Sequence, residues 1–345
     1  MNETDGSIMS TSEKPVTIKS IAAALGISFS TVSKALNGDP AISPATRQLV
    51  EEKAKEMNYT RNYFASSLRQ KGSRTVAIIV NDIDIPAYGE MIAMISSKLA
   101  SHGYTTMVSD YRYSEEYERN SIQTVISRMP EAVIIAPSDP TGENMKLLEP
   151  MFDRTLVLGD VQGLPTSSLL IDHYHAGRIS AQHMLDNGSE HNLIFAGPEG
   201  YQSSRQFLQG ILDEYAQHGL SVPQEHIFRF NPDQQTAYRR FMQAWQKEPG
   251  CCEGVICFCD SMAFGVYRAC RELELSIPRD ISVIGYDDGP ANDFTDPPLT
   301  TIHMPKDLVA AQCVQFVINR LVRGDTHLHN YTLRPSLSDR GSVRK

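Results

Sequence analysis

From Thr75 onward the chain alternates short, largely apolar runs with longer stretches of helical periodicity, and this alternation limits the fold more than any other feature. The runs span 76–80, 105–108, 132–136, 156–158, 193–196, 255–258 and 281–284. Apolar residues at consecutive positions suit strands covered on both faces, as parallel strands are. Helices between them supply the crossovers, so doubly wound α/β layers are expected. The stretch is too long for one such sheet, which predicts two lobes with a cleft between them. Ligands in folds of this kind bind beyond the carboxyl ends of the strands.

The polar groups at those ends are Asn81, Asp82, Asp160, Asp260 and Asp287. Carboxylates accept hydrogen bonds from ligand hydroxyls, which recognition of a polyol requires. Asp260 also precedes a helical run, where it is expected to cap the helix. Asp287 is the favoured ligand contact, and Asp82 fits either role.

The N-terminal segment has a different character. From Lys14 to Arg74 there are ten Lys/Arg and four Asp/Glu, a net of +6 in a chain of net charge −9. A basic module on an acidic body points to phosphate contact by one part only. Three short helices are legible there. Ile18, Ile21, Ala22 and Leu25 share one face of the first, with Thr17 as cap and Gly26 as terminator. Ser28 caps a second helix, whose Val32, Ala35 and Leu36 face inward while Phe29, Ser30, Ser33 and Lys34 face outward. Ser43-Pro44 opens a third, which buries Val50, Ala54 and Met57. Two helices joined by Gly26-Ile27-Ser28 make a helix-turn-helix, whose second helix enters the major groove.

The stretches Val16-Thr17-Ile18-Lys19-Ser20-Ile21-Ala22 and Thr31-Val32-Ser33-Lys34-Ala35-Leu36-Asn37 resemble the headpiece of the lactose-repressor (LacI/GalR) family. So do Ile42-Ser43-Pro44-Ala45-Thr46-Arg47, Asn58-Tyr59 and Asn62, and the likeness runs through the chain from residue 15 onward. In the large domain it is carried by Asp172-His173-Tyr174-His175-Ala176-Gly177 with Ala181 and His183, and by Cys259-Asp260-Ser261-Met262-Ala263. Ile284-Gly285-Tyr286-Asp287-Asp288, Pro297-Pro298-Leu299-Thr300-Thr301-Ile302, Leu333-Arg334-Pro335 and Arg340-Gly341-Ser342 continue it.

The resemblance implies an α/β protein with a three-helix headpiece and a two-lobed, periplasmic-binding-protein-like domain. The expected divisions are a tail at 1–15, the headpiece at 16–61, a hinge at 62–73 and an effector and dimerisation domain at 74–345. Its lobes would hold 74–172 with 304–333, and 173–303 with 334–345. The residues expected on DNA are Thr17, Ser28, Phe29, Ser30, Thr31, Ser33, Lys34, Asn37, Arg61, Asn62 and Leu68. Leu68 occupies the position of a leucine that wedges into the minor groove.

Departures from the family pattern shape the expected effector. Arg61 stands where proline is usual and lacks proline's fixed φ. Phe207 stands three residues before Gly210, where an arginine commonly forks onto ligand oxygens. Arg205 is two residues away, about 200° around the helix, and does not replace it directly. Cys259 replaces an asparagine beside Asp260. Together with Asn81, Asp82, Asp160 and Asp287, these residues form the expected effector set. The ligand is expected to be a sugar derivative less dependent on an arginine, such as a larger glycoside or an aromatic-bearing compound. Control by a protein co-regulator fits as well.

The residues offer little to an enzyme. There is no GxSxG, GxxxxGK[ST], HExxH or phosphate-binding GxGxxG. His173 and His175 lack further metal ligands, and the six cysteines have no zinc spacing. Cys257 and Cys259 share one face of a strand, so a redox or soft-metal sensor is the minority alternative to buried thiols. No cofactor, metal or membrane partner is expected. With no apolar leader at 1–14 and no long apolar run, a cytoplasmic protein is expected, on the nucleoid when bound to its operator. No heptad repeat follows the large domain, so a homodimer is expected. The rival is a small-molecule-binding protein or sugar-metabolising enzyme without DNA activity, against which the N-terminal module argues.

Overall fold

The computed structural model describes residues 16–59 and 72–345. The chain divides into two compact units, Met1–Ser73 and Arg74–Lys345. The tail, and the hinge residues with Arg61, Asn62 and Leu68, lie outside the described residues.

In the first unit, helices α1 (Ile18–Leu25), α2 (Phe29–Leu36) and α3 (Pro44–Glu56) enclose a small core of Ile21, Ala22, Val32, Ala35, Val50 and Ala54. Thr17 and Ser20 form a capping box at the start of α1, and Gly26 ends it in the left-handed region at φ 65°. That residue type turns the chain within two residues so that Ser28 caps α2, its hydroxyl accepting from the Thr31 N–H.

The second unit holds two six-stranded sheets. Strands β1 (Thr75–Val80), β2 (Thr105–Asp110), β3 (Ala132–Ile135), β4 (Thr155–Val157), β5 (Ser167–Ile171) and β11 (Asn330–Leu333) run parallel in the order β2-β1-β3-β4-β5-β11. Strands β6 (Asn192–Phe195), β7 (Ile227–Phe228), β8 (Gly254–Cys257), β9 (Ser282–Asp287), β10 (Thr300–His303) and β12 (Ser336–Ser338) follow the order β7-β6-β8-β9-β10-β12, with only β12 antiparallel. The consecutive apolar residues of β1 explain themselves in the packing. Val76, Ile78 and Val80 meet Met91 and Ile95 of α4 (Pro86–Ser101) and Phe316 and Val317 of α10 (Lys306–Leu321). Ala77 and Ile79 point the other way, to Ile122 and Val125 of α5 (Glu115–Ser127). Each such aliphatic side chain contributes about 1.5–3 kcal/mol by leaving water. The edge strands β11 and β12 escape a search for apolar runs because their faces stay partly wet.

In the second sheet's lobe, α6 (His173–Asp186) and α7 (Gln202–Gln217) cross backbone to backbone. A methyl group on Gly177 would overlap the Phe207 carbonyl, and one on Gly210 the Tyr174 carbonyl. The chain's end completes the lobe. Ser342 donates to the Val283 carbonyl (2.6 Å) and accepts from the Thr300 N–H (2.7 Å). Arg340 pairs with Asp288 (2.7 Å) and Asp293 (2.8 Å).

Gly210→Ala should therefore cost about 1–3 kcal/mol or more by forcing α6 and α7 apart. Gly89→Ala, in α4 with open space around the new methyl, should be neutral or stabilise by about 0.5–1 kcal/mol. Urea unfolding of the two variants separates the cases; equal stability would contradict the close crossing.

Candidate ligand cleft and DNA-reading face

The carboxyl ends of both sheets face one cavity, of about 910 Å³ counting its open mouth. From the first sheet's lobe come Asn81 after β1, Tyr88 on α4, Tyr113 after β2, Ala136 and Pro137 after β3, and Leu158 and Gly159 after β4. The other lobe supplies His173, Tyr201, Gln202, Ser203, Phe258, Cys259, Tyr286 and Asp287. No lysine or arginine lines it among the described residues.

Two residues at the start of α7 clasp the opposite lobe. The Gln202 Nε2 donates to the Asp160 carbonyl (3.2 Å), and its Oε1 accepts from the Asp160 N–H (2.9 Å). Its own N–H donates to the Ser138 carbonyl (3.2 Å). Tyr201 stacks on Tyr111 at 6.4 Å between ring centres and meets the edge of Tyr113 at 5.2 Å.

Of the expected effector residues, Asn81, Cys259 and Asp287 stand in the cavity wall. Asp287 has a positive φ of 118°, a strained conformation for a side-chain-bearing residue. Burial and the neighbouring Asp260 push its carboxyl well above the ordinary range, and only Lys306 opposes them.

The other five are placed elsewhere. Asp260 does not cap its helix α9 (Asp260–Glu272); Cys259 is the capping residue, and without a side-chain bond. Asp260 instead accepts from Thr301 Oγ1 (2.6 Å), Asn292 Nδ2 (2.8 Å) and the Gly289 N–H (2.9 Å), since three donors offset the cost of burying its charge. Phe207 is fully buried behind the wall, stacked on Tyr286 at 5.7 Å and edge-on to Phe258 at 5.5 Å, so its ring is unavailable to a ligand. Arg205 is exposed and donates to the Glu199 and Gly200 carbonyls (3.2 and 2.9 Å). Asp160 spends its carboxylate on the Gln162 N–H (3.1 Å), bracing its own turn. Asp82 accepts from the Asp84 N–H and lies 3.4 Å from Arg112, in a groove beside the cavity.

A search for carboxylates at strand ends overlooks Tyr88, Tyr113, His173, Tyr201, Gln202, Phe258 and Tyr286. Several of them follow a strand end within a few residues, so the same rule applied to aromatic and amide groups finds them. The thiols of Cys257 and Cys259 are buried and pushed well up, which keeps them protonated. Among the described residues no group of His, Cys, Asp and Glu is arranged to hold a metal ion.

In the first unit α2 exposes Ser30 and Lys34, with Phe29, Thr31 and Ser33 half-buried and Asn37 exposed just beyond its end. Ser28 lies within 2.7 Å of Ser30 Oγ and 2.8 Å of Thr31 Oγ1, and the Lys34 ammonium is 4.0 Å from Asp39. Thr17 is exposed and engaged in its capping box. A short helix with a small, exposed polar face is suited to base edges and phosphates.

A helix-turn-helix module in one chain with a two-lobed ligand cleft defines a sequence-specific DNA-binding transcription regulator. Residues 17–62 match the profile of bacterial regulatory proteins of the lacI family, and residues 181–343 that of the periplasmic binding protein-like domain. The chain thus joins a lacI-family regulatory domain to a periplasmic binding protein-like domain. It is 27% identical to the ribose operon repressor of Escherichia coli (strain K12) over 338 residues, covering 95% of this chain and 99% of the relative. The HTH-type transcriptional repressor CytR of the same strain is 28% identical over 336 residues, covering 96% and 97%. The crystal structure of the Lac repressor dimer bound to operator and the anti-inducer ONPF superposes with a TM-score of 0.80 at 25% identity, covering 96% of this chain and all of that one.

Burial pushes the His173 imidazole from 6.5 down to about 4, while its Nδ1 sits 2.9 Å from the Tyr286 hydroxyl. Between those values the unfolded chain holds a proton that the folded one lacks. Stability from this group is therefore lost as pH falls, by up to about 1.4 kcal/mol per unit. Asp260, pushed up to about 6, acts in the opposite sense, so the comparison must be with a variant. His173→Gln should lose less thermal stability than wild type between pH 6.5 and about 5. Parallel profiles would mean that the ring takes up its proton in the fold as readily as in the unfolded chain.

Proposed function

We propose that the protein is a homodimeric cytoplasmic repressor that holds a near-palindromic operator on the nucleoid and releases or grips it as a small molecule occupies the interlobe cleft. The observation that carries this reading is the joining of a DNA-reading helix and a ligand cleft in one chain. It acts by binding, without turnover of the ligand. Half-sites would lie about one helical turn apart, as twofold symmetry requires. Thr17, Ser28, Phe29, Ser30, Thr31, Ser33, Lys34 and Asn37 would meet one half-site, Arg61 and Asn62 the adjoining backbone, and Leu68 the minor groove.

The ligand, a sugar derivative or glycoside, must bind one lobe arrangement better than the other. The Gln202–Asp160 clasp makes such a preference possible because it exists only when the lobes are close. A protein co-regulator that favoured one arrangement would act through the same equilibrium.

Operator duplexes selected from a random pool provide the test. Removal of residues 1–72 should abolish binding to the selected duplex and leave a folded dimer; retained specific binding would refute the assignment. Leu68→Ala should weaken the selected duplex by about 10-fold or more, while affinity for unrelated DNA barely moves, because only the specific complex is kinked. Equal loss on both would place Leu68 in folding or docking instead.

A further inference from the structure

The end of α2 sets an acid against the helix's single cation. Gly38, in the left-handed region at φ 71°, reverses the chain after Asn37. Its N–H donates to the Ala35 carbonyl (3.1 Å), and the Asp39 N–H donates to the Lys34 carbonyl (3.0 Å). This pair of bonds is a Schellman closure, which brings the third residue beyond the helix next to the third from its end. An apolar pair commonly fills those two positions. Here they hold Asp39 and Lys34, the one Lys or Arg of α2, with Oδ2 4.0 Å from Nζ. The acid is fixed from its other sides. Its Oδ1 accepts from the Ala41 N–H (2.9 Å), and its carbonyl accepts from Arg47 Nη2 (2.9 Å) and the Ile42 N–H (3.1 Å). Both charged side chains stay wet, Lys34 55% and Asp39 32% exposed, so the pair is weak and reversible.

An unpaired ammonium on a DNA-reading helix binds any phosphate within its reach, and such contacts add affinity on every sequence alike. A weak partner at the helix end changes that. The ammonium then leaves the protein only for a contact stronger than the pair it gives up. We propose that Asp39 is a positioning residue for DNA reading: it holds the Lys34 ammonium against the end of α2, withholds it from the phosphates of unrelated DNA, and yields it to a better-placed acceptor on the operator. Lowering the sequence-independent attraction leaves more of the binding free energy to base contacts, so preference for the operator rises. The inference rests on α2 being the DNA-reading helix.

The experiment measures the affinity of the full-length protein for a selected operator duplex and for an unrelated duplex, from about 50 to 200 mM salt. Asp39→Asn keeps the Oδ1 acceptor for the Ala41 N–H and removes only the charge. At the low end of the range it should tighten unrelated DNA by about 2- to 5-fold, the scale of one exposed ion pair. The slope of log affinity against log salt should steepen by about 0.9 for each headpiece bound. The selected duplex should gain less, so the ratio of the two affinities falls. Asp39→Glu, which retains the charge, should keep the wild-type slope. On a Lys34→Ala background, Asp39→Asn should leave the slope for unrelated DNA unmoved, because the cation it acts through is gone. The inference is overturned if Asp39→Asn leaves that slope unchanged, if Asp39→Glu steepens it as much, or if the steepening persists without Lys34. The last result would mean that the carboxylate repels phosphates directly. A protein that binds both duplexes equally in every form sinks the DNA-reading assignment and this inference with it, whereas operator preference with an unmoved slope sinks this inference alone.

Discussion

The carboxylate of Asp260 ties three segments of the second lobe together: the start of α9, the turn after β9 and the strand β10. Its position is forced from the other side as well, since any side chain on Gly285 would collide with it. Three donors and the positive end of α9 keep the group partly compensated. Burial still raises it to about 6, so the compensation is incomplete. The consequence falls on Asp287, two residues before Gly289. With the turn after it anchored, Asp287 is held at a positive φ and exposed to the cleft beside a second buried carboxyl. A strained, under-solvated acceptor at a strand end is stable only because its surroundings are fixed, and it gains most from a ligand that donates to it.

The same logic orders the remaining wall. Phe207 is buried behind the wall and supports two of the rings that line it. Stacked behind Tyr286 and edge-on to Phe258, it fixes their planes, and His173 fixes the Tyr286 hydroxyl. Gly177 and Gly210 allow α6 and α7 to approach closely enough to carry this aromatic layer. An arginine at position 207 would have to reach past Tyr286 to enter the cavity. Among the described residues no lysine or arginine lines the cavity, so the aromatic layer that Phe207 supports stands beside Asp287 without a lining cation.

The layers were legible in the sequence because parallel strands covered on both faces leave a continuous apolar trace, as residues 76–80 do with alternate side chains in two separate cores. The headpiece was legible because caps and a left-handed glycine are local features, seen at Thr17, Gly26 and Ser28. The cleft was only half legible. Strand ends correctly mark where Asn81, Cys259 and Asp287 fall, but nothing local separates Asp287, which faces the cavity, from Asp260, which braces the lobe. That distinction depends on Thr301 and Asn292, more than thirty residues away in sequence. Tyr201 and Gln202 were invisible for the same reason, since their partners Tyr111, Ser138 and Asp160 belong to the other lobe.

The Gln202 clasp also limits how regulation can work. Its bonds to Asp160 run to backbone groups, so no single side-chain change at that position removes the partner. Each neutral hydrogen bond is worth about 0.5–1.5 kcal/mol net. Three such bonds and a ring stack therefore bias the lobes toward closure by only a few kcal/mol, within reach of ordinary ligand contacts. A bias much larger than that would leave a ligand nothing to shift. A cleft held by a few neutral bonds, whose strongest unmet demand is at Asp287, lets the ligand's donors decide the balance between lobe arrangements.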